Sequence, residues 1–222
     1  MGQIKKGILG GFSGKVGTIV GANWKNISYM RSLPQKNKNS QKPLTKAQLE
    51  HRTKFKLVID TLKTMTDLIN VGWKQATNDK QTPFSTAVKY AMNNSIYSYV
   101  NASGVRIFSL IESKLVISRG SLTPPLNARS YSYMSTRRFE WDNNSGVGNA
   151  KPTDKAIIVM FNSLNNEAIT YIGQATRQAG FMNYQIPASW QKYRIICCLG
   201  FVSENGSECS NSVYICTMVK NF

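Results

Sequence analysis

Apolar residues recur at helical spacing after residue 45, and this pattern predicts a first helix over about 46–77. The segment TKAQ (45–48) predicts a capping box, in which the threonine hydroxyl binds a backbone amide and the glutamine side chain reaches back. A helix this long with one apolar stripe requires a partner surface. A second helix is predicted within TPFSTAVKYAMNN, where Thr82 is the cap and Pro83 occupies the first helical position, which needs no backbone N–H.

Shorter patterns predict strands on both sides of these helices. Residues 1–14 indicate an extended Gly-rich arm, and the β-like runs within 15–33 predict a hairpin. From about residue 105, roughly seven short runs separated by Asn, Gly, Ser and Pro predict an antiparallel sandwich. We therefore predict an α+β fold: a Gly-rich arm with a β-hairpin and two helices, followed by an antiparallel β-sandwich. The corresponding domains are 1–44, a basic arm and hairpin; 45–104, a helical module; and 105–222, the sandwich.

Charge adds a functional expectation to this architecture. The chain has 28 Lys and Arg against 11 Asp and Glu, a net charge of +17, and its first 44 residues contain no carboxylate. A field of this sign attracts polyanions such as nucleic acid, an anionic membrane surface or an acidic protein. Trp24 and Tyr29 can stack on bases, or they can form the core of the hairpin. The candidate polyanion contacts are Lys5, Lys6, Lys15, Lys25, Arg31, Lys36, Lys38 and Lys42.

Hydropathy argues against a membrane span and a signal peptide. Apolar runs stay below the roughly 18 residues that a span needs. The N-terminal sequence MGQIKKGILGGFSG also lacks the apolar core of a signal peptide. We therefore expect the protein in the cytoplasm, or in a virion if it is phage-encoded.

The residue inventory disfavours enzymatic chemistry. His51 is the one histidine, and the four cysteines match no metal-binding spacing. The cysteines are expected as buried thiols, although a Cys198–Cys209 or Cys197–Cys216 bridge stays open. Glu140 and Asp142 share a strand face, where they can pair with neighbouring arginines or act as two carboxylates. Gly14-Lys15 lacks the preceding glycine and the following Ser or Thr of a phosphate-binding loop. We predict no catalytic, cofactor or metal residues.

The glycines of the N-terminal segment suit either a flexible arm or one that packs closely on another surface. Its apolar residues argue against disorder, since disordered segments have low hydrophobicity. Exchange of such an arm between subunits is an economical route to an assembly. The candidate assembly contacts are Ile8, Leu9, Phe12, Val16 and Trp24.

Several stretches carry resemblances to three kinds of known protein. RRFEWDNNS, IPASWQKY and YRIICCLGFVSENGSECSNSVYI resemble parts of a fibronectin type III or immunoglobulin-like domain, which implies that Trp141, Tyr193 and Ile195 point inward. GILGGFSGKVGTIVGANWKNISYMRSLP and LTKAQLEHRTKF resemble an uncharacterised family of Bacteroides-lineage bacteria, for which no activity is established. TKAQLEHRTKF followed by Trp73 is also similar to a module of phage structural proteins.

These observations favour a non-enzymatic structural or assembly protein of virion or prophage type. Its arm is expected to dock on further copies of the chain or on other structural subunits. The alternative is a nucleic-acid-binding protein that uses the basic N-terminal region. An enzyme is the least supported class, and no cofactor is expected.

Overall fold

In a computed structural model of the protein, the described residues are 2–4, 7, 10–34, 43–133, 135–190, 194–215 and 217–219. The chain divides into two compact units, Met1–Thr45 and Lys46–Phe222.

The N-terminal unit is a four-stranded antiparallel sheet, so the predicted extended arm is wrong, while the hairpin predicted within 15–33 is present as the last two strands of this sheet. Its strands, in sheet order, are β1 (Gln3–Ile4), β2 (Phe12–Val16), β3 (Ile19–Trp24) and β4 (Ile27–Ser32). Lys25 and Asn26, with φ of 48° and 64°, form the two-residue turn between β3 and β4. Strand β2 is not evident from the sequence, because Gly14 has no side chain and interrupts the alternation expected of a strand.

The helical part contains three short helices, where two were predicted. These are α1 (Lys46–Lys63), α2 (Thr66–Gly72) and α3 (Pro83–Asn94). The predicted long helix divides between α1 and α2, where two threonine hydroxyls compete for helix carbonyl groups. Thr64 Oγ1 donates to the Thr61 carbonyl at 2.7 Å, and Thr66 Oγ1 donates to the Lys63 carbonyl at 2.9 Å. Helix α3 begins at the predicted position.

The remaining strands form a hairpin and two four-stranded sheets. The hairpin pairs β5 with β6, one sheet has the order β10-β9-β12-β13, and the other has the order β11-β8-β7-β14. Neighbouring strands are antiparallel except β14 and β7, which are parallel. Their bounds are β5 (Ile96–Val100), β6 (Arg106–Leu110), β7 (Leu126–Tyr133), β8 (Thr136–Asp142), β9 (Lys155–Asn162), β10 (Glu167–Thr176), β11 (Phe181–Gln185), β12 (Ile195–Val202), β13 (Val213–Ile215) and β14 (Thr217–Val219).

The described chain is therefore mostly β, which corrects the predicted α+β class. Strands β9 and β12 lie at the centre of the larger unit and are buried on both faces. One face carries Val159 and Phe161, which share a core with Leu62 and Trp73 of the helical segment. The other face carries Ile158 and packs with residues of β8 and β11. Burial on both faces explains why these two strands are continuous apolar runs in the sequence.

The cysteines of this core are buried thiols. Cys198 Sγ donates to the Leu115 carbonyl at 3.6 Å, and Cys209 Sγ donates to the Val71 carbonyl at 3.2 Å. Cys197 is likewise a buried thiol. The Cys198–Cys209 bridge left open by the sequence is therefore not formed, and Cys216 lies outside the described residues.

Candidate functional site: the N-terminal sheet

The register of β2, β3 and β4 assigns their side chains to two faces. Trp24 lies opposite Ile27, Ala22 opposite Tyr29, and Val20 opposite both Arg31 and Lys15. Directly opposite residues of an antiparallel pair share a face, and successive residues alternate between faces. We call the face that carries these side chains the basic face; it comprises Lys15, Val20, Trp24, Ile27, Tyr29 and Arg31.

The opposite side of the same strands has no charge in its described part, and we call it the uncharged face. Val16 lies opposite Ile19, and Gly21 lies opposite Met30. Asn23, Ser28 and Ser32 complete this face along β3 and β4. Its three large apolar side chains are well exposed: Val16 to 55%, Ile19 to 44% and Met30 to 69%.

Gly21 allows the chain to cross the uncharged face. A Cβ atom at Gly21 would clash with the Phe12 carbonyl oxygen and would lie 2.6 Å from an atom of the Phe12 ring. Gly14 lies opposite Gly21 and has a φ of 107°, a conformation that favours glycine. Glycine therefore serves close packing within this segment, which is one of the two roles that the sequence left open.

The structure separates the candidate assembly residues. Val16 lies on the uncharged face, and half-buried Phe12 packs over Gly21 beside it. Trp24 lies on the basic face and is 39% exposed, so it is not a core residue of the hairpin. Ile8 and Leu9 lie outside the described residues.

Only some of the candidate polyanion residues can be placed at the basic face. Exposed Lys15 and Arg31 lie on the basic face, and Lys25 occupies the turn that ends it, with Nζ 5.1 Å from the centre of the Trp24 ring. The other five candidates lie outside the described residues: Lys5, Lys6, Lys36, Lys38 and Lys42.

Sequence reasoning missed Ile19, Ile27 and Met30 as surface residues of this sheet. Neither IVGANW nor ISYMRS alternates strictly between apolar and polar residues, so the sequence pattern alone does not assign their side chains to faces. The faces follow only when the turn between the strands is known, because the turn determines which residues lie opposite each other.

One edge of the sheet, formed by β4, has backbone groups that pair with no other strand of the described residues. Leu33 N–H donates to the Thr18 carbonyl at 2.7 Å, which defines the alternation of hydrogen bonds along β4. By this alternation, the N–H and C=O groups of Ser28, Met30 and Ser32 point away from β3. All six residues of β4 are exposed. The open edge therefore adjoins the uncharged face.

Other candidate chemistry is not assembled in the described chain. His51 is exposed on α1. Glu140 pairs with Arg138 at 2.5 Å, and Asp142 pairs with Arg129 at 3.3 Å, so the two carboxylates bind different arginines. The described residues contain no group of three or more His, Cys, Asp or Glu side chains arranged to hold a metal ion.

A polar cavity of about 370 Å³ in the larger unit is lined by Asp154, Glu204 and Glu208, and two of these carboxylates bind neighbouring side chains. Asp154 Oδ2 accepts from Arg177, and Glu208 Oε2 accepts from Asn149 at 3.3 Å. Within the described part of the chain, no helix is both long and apolar enough to cross a membrane.

A known family model matches most of the chain. A model described as a family of unknown function, DUF6266, matches residues 11–216. The chain belongs to the DUF6266 family. This confirms the sequence-based assignment to an uncharacterised family. No curated protein matches the chain. The DUF6266 match includes β2, β3 and β4, and with them both faces of the N-terminal sheet.

Proposed function

We propose that the protein is a non-enzymatic structural protein that self-assembles by binding a second copy through the uncharged face of its N-terminal sheet. A sheet with an apolar face is stable when another layer covers that face. Val16, Ile19 and Met30 remain exposed, and this observation carries the proposal. The chain's own crossing at Gly21 covers only part of this face, and a second copy can cover the exposed remainder.

Charge directs contact between two copies to the uncharged face rather than to the rest of the surface. Each chain carries a net charge of +17, so two copies repel each other over most of their surfaces. The described part of the uncharged face lacks charged side chains, so two such faces approach without that penalty. The same patch on both copies gives a self-complementary interface.

The edge of β4 supports the same proposal. Its outward backbone groups at Ser28, Met30 and Ser32 can bind a strand of the neighbouring copy, as exposed edges do in strand addition. The phage-like segment TKAQLEHRTKF supports a virion- or prophage-type particle as the setting of this assembly.

Light scattering after size exclusion tests the proposal on the full-length, nuclease-treated chain. We expect a defined oligomer of the 24.8 kDa chain. We also expect oligomers to persist or strengthen as salt is raised, because salt screens the repulsion between copies. Association through residual nucleic acid would instead weaken with salt.

Two matched variants locate the interface. Met30→Lys adds a charge to the uncharged face and should give monomers. Ile27→Lys adds the same charge to the basic face at a side chain that is 49% exposed, and the oligomer should persist. Circular dichroism verifies that both variants fold. A wild-type monomer at every concentration and salt, or equal masses for the two variants, would contradict the proposal.

A further inference from the structure

We propose that the basic face binds single-stranded nucleic acid, with Trp24 and Tyr29 stacking on bases and Lys15 and Arg31 contacting phosphates. This surface lies opposite the uncharged face of the same sheet. The inference therefore does not rest on the proposed self-assembly.

The arrangement of aromatic residues suits an open strand. Trp24 is the neighbour of Ile27 across the strands, and Tyr29 is the neighbour of Ala22, so the two aromatic side chains are diagonal neighbours. Diagonal neighbours on one sheet face are about 7–8 Å apart between backbones, which long aromatic side chains can span. Tyr29 is 46% exposed, so both rings are accessible to bases.

Trp24 differs in its exposure from the other tryptophans of the chain. Trp73, Trp141 and Trp190 are 1–3% exposed and belong to the hydrophobic core of the larger unit. Trp24 extends from a strand end beside Lys25. A tryptophan next to a cation on an open sheet can stack on any base, because each base has a π-face.

The cations on this face have no carboxylate of their own unit to neutralise them. Residues 1–45 contain no Asp or Glu, and the first carboxylate of the sequence is Glu50. The ion pairs found in the described structure involve other residues than Lys15 and Arg31. Within this unit, an approaching phosphate therefore meets positive charge and no carboxylate.

Aromatic exposure distinguishes a single strand from other polyanions. In a duplex the bases are stacked on each other, so exposed rings add little beyond the charge contacts. An acidic polypeptide would use Lys15 and Arg31, but it has no planar bases to stack on Trp24. The observations thus favour single-stranded nucleic acid.

Intrinsic fluorescence provides a direct readout, because Trp24 is the exposed tryptophan among the four of the chain. Adding a thymidine homopolymer to the full-length protein should quench the fluorescence and protect it from acrylamide. Met30→Lys, which changes only the uncharged face, should show the same quenching whether or not it alters the oligomeric state. Absence of quenching at low salt would overturn the proposal.

Variants separate stacking from phosphate contact. Trp24→Ala should weaken homopolymer binding about tenfold and leave the salt dependence unchanged, because stacking does not release counterions. Arg31→Gln should reduce the slope of log affinity against log salt by about 0.7, the value for one phosphate of a single strand. Lys80→Gln makes the same charge change at an exposed loop residue and should leave the slope unchanged.

Two results would overturn the inference even if the protein binds the homopolymer. One is an unchanged affinity in Trp24→Ala, measured by anisotropy of a labelled oligonucleotide. The other is equal competition by polyglutamate, which would assign the face to an acidic protein partner. Circular dichroism of each variant verifies that the sheet is intact.

Discussion

Arg177 and Asp154 form a buried ion pair: Nε and Oδ2 are 3.1 Å apart, and both side chains are at most 1% exposed. The same guanidinium donates to Asn144 Oδ1 at 2.5 Å and to the Thr123 carbonyl at 2.8 Å. It also lies 3.9 Å from the centre of the Phe201 ring. One buried cation therefore holds together several loops and a strand of the larger unit.

Removing the carboxylate should destabilise the fold strongly. Asp154→Asn leaves the Arg177 charge buried without its counter-ion, and we expect a loss of about 3–5 kcal/mol in the free energy of unfolding. The exposed pair Arg138 and Glu140 is the matched control, and Glu140→Gln should cost less than about 1 kcal/mol. Urea unfolding measures both values. Similar losses for the two variants would contradict the assigned importance of burial.

Alkaline pH should destabilise the protein above about pH 9. Burial raises the pKa of the Cys198 thiol and raises the pKa of Cys209 to about 11, although nearby Lys74 lowers the latter. Burial also raises the pKa of the Tyr184 hydroxyl, with a smaller contribution from Tyr171. The folded chain therefore retains protons that the unfolded chain loses above its ordinary thiol pKa of about 9. Stability must then fall as pH rises.

Urea unfolding at a series of pH values between 7 and 11 measures this dependence. Cys209→Ala should flatten the decline between pH 9 and pH 11, because it removes one of the groups whose pKa differs between the two states. A free energy of unfolding that stays constant over that interval would refute the assignment.

Loss of the Thr82 hydroxyl should destabilise the start of α3. Thr82 Oγ1 accepts from the Ser85 N–H at 3.1 Å, and the Thr82 N–H donates to Ser85 Oγ at 3.0 Å. Thr82→Ala should cost about 1 kcal/mol, whereas Thr82→Ser keeps the acceptor and should retain most of the stability. Chemical denaturation followed by circular dichroism compares them. Equal stability of the serine and alanine variants would show that the cap contributes little.

Replacing Gly72 should destabilise the protein, even though Gly72 is the last residue of a helix. A Cβ atom there would lie 2.7 Å from Ser118 Cβ and would clash with the Ile117 carbonyl oxygen. We expect Gly72→Ala to destabilise by about 1–3 kcal/mol through overpacking. Helix propensity alone predicts a gain of about 1 kcal/mol, so the sign of the measured change decides between the two effects. Adding Ser118→Gly should recover part of the loss.

Local chemistry predicted some elements of the fold. Thr82 and Pro83 placed the start of α3, because a cap depends on residues within one turn. The apolar runs of β9 and β12 also identified strands. The break between α1 and α2 was not predicted, because the apolar spacing continues through it while the hydroxyls of Thr64 and Thr66 redirect hydrogen bonds.

The candidate site was predictable in composition but not in arrangement. The basic and apolar residues of the N-terminal segment were evident from the sequence. Their division between two faces depends on the turn at Lys25 and Asn26, which lacks the glycine that usually marks such turns. Without that turn, Trp24 could not be separated from Val16.

The alternation of side chains on β3 and β4 sets limits on how the length of this segment can change in evolution. A single residue inserted within β3 would move Trp24 from the basic face to the uncharged face and exchange the side chains that the two faces carry. Substitutions on either face leave the opposite face unchanged. Insertions and deletions are therefore expected to be rare both within β3 and β4 and at the two-residue turn Lys25-Asn26, which fixes their register. Related chains should vary in sequence within these strands far more freely than in spacing.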